Sequence, residues 1–370
     1  MSRRGNLLGV ALLALAVVGV QVLCRLGGRE YYLVQWTMAA YTAVVVMGLG
    51  LVMGYAGQVS MGHAAFLAIG GYTSAVLTTL DLAGWADAAP VRLLERLGVL
   101  AWRSRLYGQD DMLACVPWAA FAAALVLTAV IAWGVGYPAL RLRGHYLAMA
   151  TLGFGLIVYQ VVLGSRFTGY ADGISAVPAW HLIPGVTVGG AVADRVANYY
   201  VAWGLALLVL VLILNLIDSR LGRALRAIHG SERAAHAAGV DIARCKLLAF
   251  VLSALIAAAA GSFLTHYTGG IGPSEAGVMR SVRYVALVAV GGAAHVWGGL
   301  VLGALLTFLS LRGCFGTFDD AVFGVALIAI MTLCPNGPLP PLWRALRRLP
   351  GRLARRGAKP REGADVAAEG

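Results

Sequence analysis

The sequence predicts an all-α integral membrane protein of about ten transmembrane helices, some broken or re-entrant, with a helical loop on the cytoplasmic face near the middle of the chain. Three observations predict it. Hydrophobic residues fill 60% of the 370 positions and charged ones only 12%, where a soluble domain carries about a quarter. Apolar runs near the ~20 residues that cross a bilayer recur along the chain, and in lipid helices satisfy their own backbone groups. Charge is also partitioned. With ten spans both termini share one side; taken as cytoplasmic, that side holds 18 of the 29 Lys and Arg and 6 of the 17 Asp and Glu, leaving 11 of each sign outside. The whole excess of +12 is then cytoplasmic. That is the positive-inside bias, and it explains the basic balance without nucleic acid.

Arg3 and Arg4 precede the first apolar run, Leu7 to Leu23. A signal peptide is the rival reading, but the run is long for one and no small-x-small cleavage site precedes Arg25, so it is read as the first span. The second span runs from Val34 to Met53. The stretch Gly54–Leu77, GYAGQVSMGHAAFLAIGGYTSAVL, is rich in Gly, Ala and Ser. Small residues let membrane helices approach closely, and Gly54–Gly62 reads as an unwound entry to span three. His63 is ionisable at membrane depth, a functional candidate by default; the alternative is a buried histidine bonded to the backbone of a neighbouring helix. Residues 81–115 form a polar external insertion, with an amphipathic helix predicted over Val91–Leu106 whose arginines and Trp102 suit a membrane interface. Span four is Val116–Tyr137. Span five follows Arg141-Leu-Arg-Gly-His-Tyr-Leu-Ala and runs through Leu163. In it Thr151 offers a hydroxyl and Gly153 a close backbone approach, or both serve helix packing. Asp172-Gly173 is a turn signal in a polar loop from Thr168 to Asn198. Tyr199–Ile217 is span six and Leu247–His266 span seven, with a close-packing AAAAG face at residues 257–261. Gly269–Arg283 reads as a loop, Tyr284–Ala293 as a short span eight, the broken GGAAHVWGGLVLGALLTFL from Gly291 as span nine, and Phe318–Leu333 as span ten. Residues 1–340 thus make one membrane domain. The basic tail, residues 341–370, is predicted to be disordered and drawn to anionic headgroups.

The loop between spans six and seven, residues 218–246, predicts two short helices. The first, Arg223–His229, stops at Gly230, since Gly costs about 1 kcal/mol in a helix interior. The second, Glu232–Ala238, has Ser231 as its N-cap and ends at Gly239, suited to the left-handed cap position. Asp241 is placed to cap the next apolar helix. Ala234, Ala235, Ala237 and Ala238 leave the second helix almost bare. A short, small-faced, basic helix suits a groove on a soluble partner; an ordinary solvated loop helix fits the same pattern.

Glu232, Ala234, Ala235 and Gly239, preceded by Arg223-Ala-Leu-Arg-Ala-Ile and followed by Lys246-Leu-Leu-Ala-Phe-Val, resemble the "EAA" loop of ABC-transporter permeases of the branched-chain amino acid type. The resemblance extends over roughly residues 30–340. It includes GYAGQVSMGHA from Gly54, RLRGHYLAMATLGFG from Arg141, Thr168-Gly-Tyr-Ala-Asp-Gly, the Gly291 region and the closing CPNGPLPPLW. The chain departs from the family at His145, where an acidic residue is usual, at Tyr170, where a glycine is, and in its longer 81–115 insertion. The resemblance implies a bacterial inner-membrane subunit with both termini cytoplasmic. It implies a second, homologous permease sharing the pore, two separate ATPase subunits and a periplasmic binding protein delivering leucine, isoleucine or valine. The loop then docks on the ATPase through Glu232, Ala234, Ala235 and Gly239, with Arg223 and Arg226 as electrostatic partners. Substrate-path candidates are Gln58, Ser60, His63, Thr151 and Asp172.

The chain has no GxxxxGK[ST] and only two lysines, Lys246 and Lys359, which excludes a P-loop phosphate cradle of its own. HExxH and GxSxG are absent too, and the five cysteines show no paired spacing. No catalytic residue, metal or cofactor is expected. Mid-span ionisable groups are His63, His266 and His295, with no carboxylate, which weakens an ion-coupled carrier. The Gly54 and Gly291 stretches echo one another loosely, and interrupted helices in repeats point to a path at mid-membrane. Three alternatives stand beside the branched-chain reading: an ABC permease for urea, amides or other amino acids, a secondary carrier, and a membrane scaffold.

Overall fold

The structure, a computed structural model, describes residues 3–104, 111–140, 145–292 and 295–313, with isolated positions between 321 and 332. Helix α1 is Arg3–Leu26 and α2 is Tyr32–Gly50, which runs on through a π-turn at Leu51–Tyr55. Ala56–Gly62 is irregular, and α3 (His63–Thr79) starts at the histidine. The unwound entry is therefore present, preceded by the kind of widened helical turn that gathers at functional breaks.

In the insertion, α4 (Ala89–Arg96) is shorter than the helix expected over Val91–Leu106. Gly98, at φ +71, turns the chain, and the rest becomes strand β1 (Leu100–Ser104) paired antiparallel with β2 (Asp111–Cys115). The chain continues through α5 (Pro117–Ala139), α6 (His145–Gly164), β3 (Ile174–Ser175), β4 (Trp180–Ile183) and β5 (Val186–Val188). Then come α7 (Arg195–Asp218), α8 (Arg220–Gly230), α9 (Glu232–Ala237), α10 (Ile242–Thr268), β6 (Gly270–Ile271), α11 (Val278–Gly291) and α12 (Val296–Leu311). The expected all-α character thus holds for the bundle but not for the connections, which carry three two-stranded sheets among the described residues.

Six helices are long and apolar enough to cross a membrane among the described residues: α1, α2 with its π-turn, α5, α6, α7 and α10. Helices α3, α11 and α12 have 17, 14 and 16 residues. At 1.5 Å per residue they reach only ~21–26 Å, short of a ~30 Å hydrocarbon core, because each adjoins a break in the chain. The expected set of about ten spans becomes six long and three short helices in the described part. The tenth span, Phe318–Leu333, has only isolated described positions, and the tail and Arg141–Gly144 lie outside the described residues.

The centre of the bundle is α2, α3 and α10. Helices α3 and α10 run parallel: His63, at the start of α3, meets Ser253 near the middle of α10, and Ser74 meets His266 near the ends of both. Glycines bring the two backbones together, since a Cβ on Gly70 or Gly261 would strike the carbonyl of Ala258 or Leu67 on the other helix. Helix α2 lies antiparallel to α10, with Gly48 against Ser253 and Tyr41 near Tyr267. Helix α12 covers α2, stacking Phe308 on Trp36 at 4.3 Å. Helix α5 covers α10, with Phe121 and Phe263 at 5.6 Å. Tyr199 Oη on α7 donates to the Val17 carbonyl of the peripheral α1 at 2.9 Å. Helix α6 turns Leu147, Thr151, Gly155 and Val162 inward and leaves Tyr146, Met149, Ile157 and Val161 exposed, a lipid-facing pattern.

The stretch expected as the Gly269–Arg283 loop folds back into the bundle. Strand β6 pairs with β3, and Ala276 is buried beside Ala68 and Tyr72 of α3. Ser281 Oγ then accepts from Ala64 N at 3.3 Å. Ala64 neighbours His63, which is level with Ser253, ~22 Å down α10 from Thr268. Helix α11 therefore starts deep in the bundle and crosses from the α3 side to α12, where Gly291 abuts Gly298 and Gly299.

Candidate functional site

The loop after α7 folds as its local chemistry dictates. Ser219 Oγ accepts from Gly222 N at the start of α8, Ser231 Oγ from Ala234 N at the start of α9, and Asp241 Oδ1 from Arg244 N at the start of α10. Gly239 sits at φ +78, in the left-handed region that ends helices at glycine. Leu225, Ile228 and Ala235 face inward and are buried, while Glu232, Ala234, Ala237, Ala238 and Gly239 are exposed. The expected docking set is thereby divided, with Ala235 on the inner face and Ala234 on the outer one.

Arg223 and Arg226 take a local role that spacing does not reveal. Arg223 Nη1 donates to the Asp218 carbonyl at 3.0 Å and Arg226 Nη2 to the Ile217 carbonyl at 3.2 Å. Both cap the C-terminus of α7, where cations are favoured by the unpaired carbonyls and the helix dipole. Glu232 Oε1 receives Lys246 Nζ at 2.6 Å, tying α9 to the base of α10. Arg220 and Arg233 are exposed on the same loop.

The path candidates do not all meet. Gln58, Ser60, His63 and Thr151 gather at the break before α3. Gln58 N donates to the Val52 carbonyl at 3.1 Å, and its buried Oε1 has no partner among the described residues. Thr151 Oγ1 accepts from Met61 N at 3.0 Å and donates to the Ala148 carbonyl, so α6 holds the irregular segment by its backbone. Gly153 instead faces open space. Asp172 is exposed beside Gly173, whose backbone abuts Ile271. That is the opposite end of α10, more than ~20 Å from His63.

Hydrogen-bond direction fixes the state of both buried histidines. Ser253 Oγ spends its one hydrogen on the Gly48 carbonyl at 2.6 Å, so it must accept from His63 Nε2–H at 2.5 Å. His63 Nδ1 then accepts from Ser60 Oγ at 3.1 Å. His266 Nδ1–H donates to the Pro178 carbonyl at 2.8 Å, leaving Nε2 to accept from Ser74 at 2.9 Å. For the neutral imidazole this fixes the tautomer of each ring and occupies both nitrogens. His63 is bonded to two hydroxyls rather than to the helix backbone expected from sequence. Ser253, a lone hydroxyl in an apolar run, is the partner that sequence reading missed.

Loop and break touch. Ala56 packs with Leu225 and Ala249, flanked by Tyr55 and Leu221, and Gly57 lies against His229 of α8. Movement of α8 therefore reaches the break directly.

A helical bundle with broken central helices and a capped helical loop at one end defines a multi-pass α-helical membrane protein. The chain belongs to the family described as branched-chain amino acid transport system / permease component, whose model matches residues 31–331. It is similar to the high-affinity branched-chain amino acid transport system permease protein LivM of Salmonella typhimurium, 30% identical over 327 residues, covering 82% of this chain and 69% of that one. LivM of Escherichia coli K12 is 29% identical with the same coverage. The corresponding permease protein BraD of Pseudomonas aeruginosa is 25% identical over 82% of this chain and 92% of its own length. No solved structure matches the chain significantly.

Proposed function

We propose that this chain is the transmembrane subunit of a bacterial ATP-binding-cassette importer for branched-chain amino acids. It lies in the inner membrane with both termini cytoplasmic and pairs with a second, homologous permease to form the pore. A periplasmic binding protein delivers leucine, isoleucine or valine, and two separate ATPase subunits drive the cycle. The 218–246 loop is the coupling element and the 81–115 insertion an external surface. The family membership supports the cargo class. The observation that carries the mechanism is the contact of α8 with the break, through Leu225 and Ala56 and through His229 and Gly57.

In this reading the exposed Ala234–Gly239 face sits in a groove of the ATPase, where small side chains permit close approach. Closure of the ATPase dimer moves α8 and α9 as a unit, because Arg223 and Arg226 fasten α8 to the end of α7 and Lys246 fastens α9 to α10. That motion tilts the Tyr55–Gly62 segment and switches access by rigid-body movement rather than by covalent chemistry. His63 and Thr151 hold the break in shape; Gln58, with its unpaired amide oxygen, is the path residue we favour for contact with cargo.

Reconstitution tests this. Leucine uptake into vesicles containing both permeases is expected to need the ATPase subunits, ATP and the loaded binding protein. Uptake that persists without the ATPases and collapses with an ion gradient would replace the reading with a secondary carrier.

A further inference from the structure

Helix α1 ends at Leu26, α2 begins at Tyr32 and α12 ends at Leu311, and Gln35 Nε2 of α2 donates to the Leu311 carbonyl at 3.3 Å. Three helix ends therefore meet at one face of the bundle, where the spans of α1 and α2 leave the hydrocarbon. An aromatic column stands there. The rings of Tyr31 and Tyr32 meet edge to face at 4.1 Å, Phe308 lies 6.2 Å from Tyr32, and Trp36 stacks on Phe308 at 4.3 Å. Aromatic side chains collect at this depth because their bodies are apolar and their polar tips reach water.

Two arginines from distant parts of the chain converge on the column. The Arg312 guanidinium lies over the Tyr32 ring, 4.3 Å from its centroid. Arg29, in the turn between α1 and α2, acts together with Arg312 on the charge of both phenol groups. Like charges brought to one place repel, more strongly beside a low-dielectric medium. Neither the exposed Arg29 nor Glu30, the carboxylate beside it, forms an ion pair among the described residues. A guanidinium laid over a ring carries its N–H donors around its edge, in the fork that pairs with phosphate. Leu23, Leu26, Val34 and Leu311 are exposed on the same three helix ends. The face thus combines two cations, phenol hydroxyls and an aliphatic surface.

We propose that this end of the bundle holds one anionic phospholipid, its phosphate bonded to Arg29 and Arg312 and its acyl chains laid along Leu23, Leu26, Val34 and Leu311. Tyr32 fixes the plane of Arg312, and Tyr31 supplies a hydroxyl at the level of the headgroup. A zwitterionic headgroup would bring a further cation to a place that already holds two, so an anionic one is preferred. With both termini cytoplasmic, the lipid belongs to the outer leaflet. Held in this way, it ties the α1–α2 turn to the end of α12.

The test measures lipid retained by the purified full-length chain in detergent, by native mass spectrometry, with phosphatidylglycerol, phosphatidylcholine and inorganic phosphate as probes. Wild type is expected to hold one phosphatidylglycerol about tenfold more tightly than phosphatidylcholine, and millimolar inorganic phosphate is expected to leave it in place. Arg29→Gln is expected to weaken phosphatidylglycerol about fivefold, the contribution of one basic residue at an anionic membrane surface. Adding Arg312→Gln is expected to reduce it to the level of phosphatidylcholine. Arg166→Gln, which removes an exposed arginine just beyond the end of α6, is expected to change nothing. Equal binding of the two lipids by wild type, no loss in Arg29→Gln, or a loss as large in Arg166→Gln overturns the site. Displacement of the lipid by millimolar phosphate would make this a free-anion site and overturn the lipid assignment. Arg29 is exposed and outside any ion pair, so Arg29→Gln carries the test alone should loss of the Arg312 stack unsettle the fold.

Discussion

Gly57 and His229 fit against each other so closely that a Cβ on Gly57 would stand 2.8 Å from His229 Nδ1. One belongs to the irregular segment between α2 and α3, the other to the last turn of α8. Gly57 also sits at φ +66, where a side chain costs about 1–2 kcal/mol. The contact makes the break in the membrane helix and the loop at its end one mechanical unit.

In the proposed importer, Gly57→Ala is therefore expected to give a chain that inserts and co-purifies with the proposed ATPase subunits but transports about tenfold less per ATP, the penalty of ~1–2 kcal/mol falling on one state of the switch. Adding His229→Ala removes the steric part of the penalty and restores part of the coupling, leaving the backbone strain. Uptake and phosphate release measured in the same vesicles check this. Unchanged stoichiometry in Gly57→Ala alone would show that the contact transmits nothing.

The chain of His63, Ser253 and Gly48 predicts unequal costs for two serine deletions. Ser253→Ala strands the His63 Nε2–H donor in a buried site, at about 1–3 kcal/mol for the group left unsatisfied, and also removes the side-chain bond to the Gly48 carbonyl, which keeps the backbone N–H of Leu51. Ser60→Ala strands only the acceptor His63 Nδ1. Thermal midpoints in detergent are expected to fall more for Ser253→Ala. An equal or reversed order would mean that the tautomer is the opposite one.

What was legible in the sequence was what depends on near neighbours. Ser231, Gly239 and Asp241 announce their caps because a cap is a matter of three or four residues. The break before His63 was legible in its glycines and serines. The roles of Arg223 and Arg226 were not, because they depend on where α7 ends and how sharply Gly222 turns the chain back on the carbonyls of Leu216 and Ile217. The β1–β2 hairpin was hidden because Arg92, Arg96 and Arg103 fall at spacings that a helix also satisfies. The inward fold of residues 269–277 was illegible for a different reason: a polar Gly-Pro stretch has the same composition whether it lies at the surface or returns to meet Ala64. The separation of Asp172 from the other path candidates needed the β3–β6 pairing to be seen.

Ala234 and Ala235 of α9 lie on the exposed and the buried face, and labelling reads this directly. Ala234→Cys is expected to react with a membrane-impermeant thiol reagent added from the cytoplasmic side, in a background with the native cysteines removed. Ala235→Cys, at 3% exposure, is expected to stay unlabelled. Addition of the ATPase subunits should protect the residue at 234. Labelling of both positions from the periplasmic side would overturn the topology and the docking face together.

Glycines in the bundle are expected to respond to alanine with opposite signs, according to what lies beyond the missing Cβ. Gly261 faces the carbonyl of Leu67 across the α3–α10 contact. A methyl there has no flexible side chain to displace, so the helices must part, at about 1–3 kcal/mol. The parting also pulls His63 from Ser253 and Ser74 from His266, because both pairs span the same seam. Gly153 of α6 has nothing within 4 Å of its added Cβ. There alanine only limits the unfolded backbone and is expected to stabilise by about 0.5–1 kcal/mol. Thermal unfolding of Gly261→Ala and Gly153→Ala beside the wild type, in one detergent, measures both signs. A neutral Gly261→Ala would mean that α3 and α10 are held less closely than their backbones indicate, and the hydrogen bonds that fix the two histidines would then lose their structural basis.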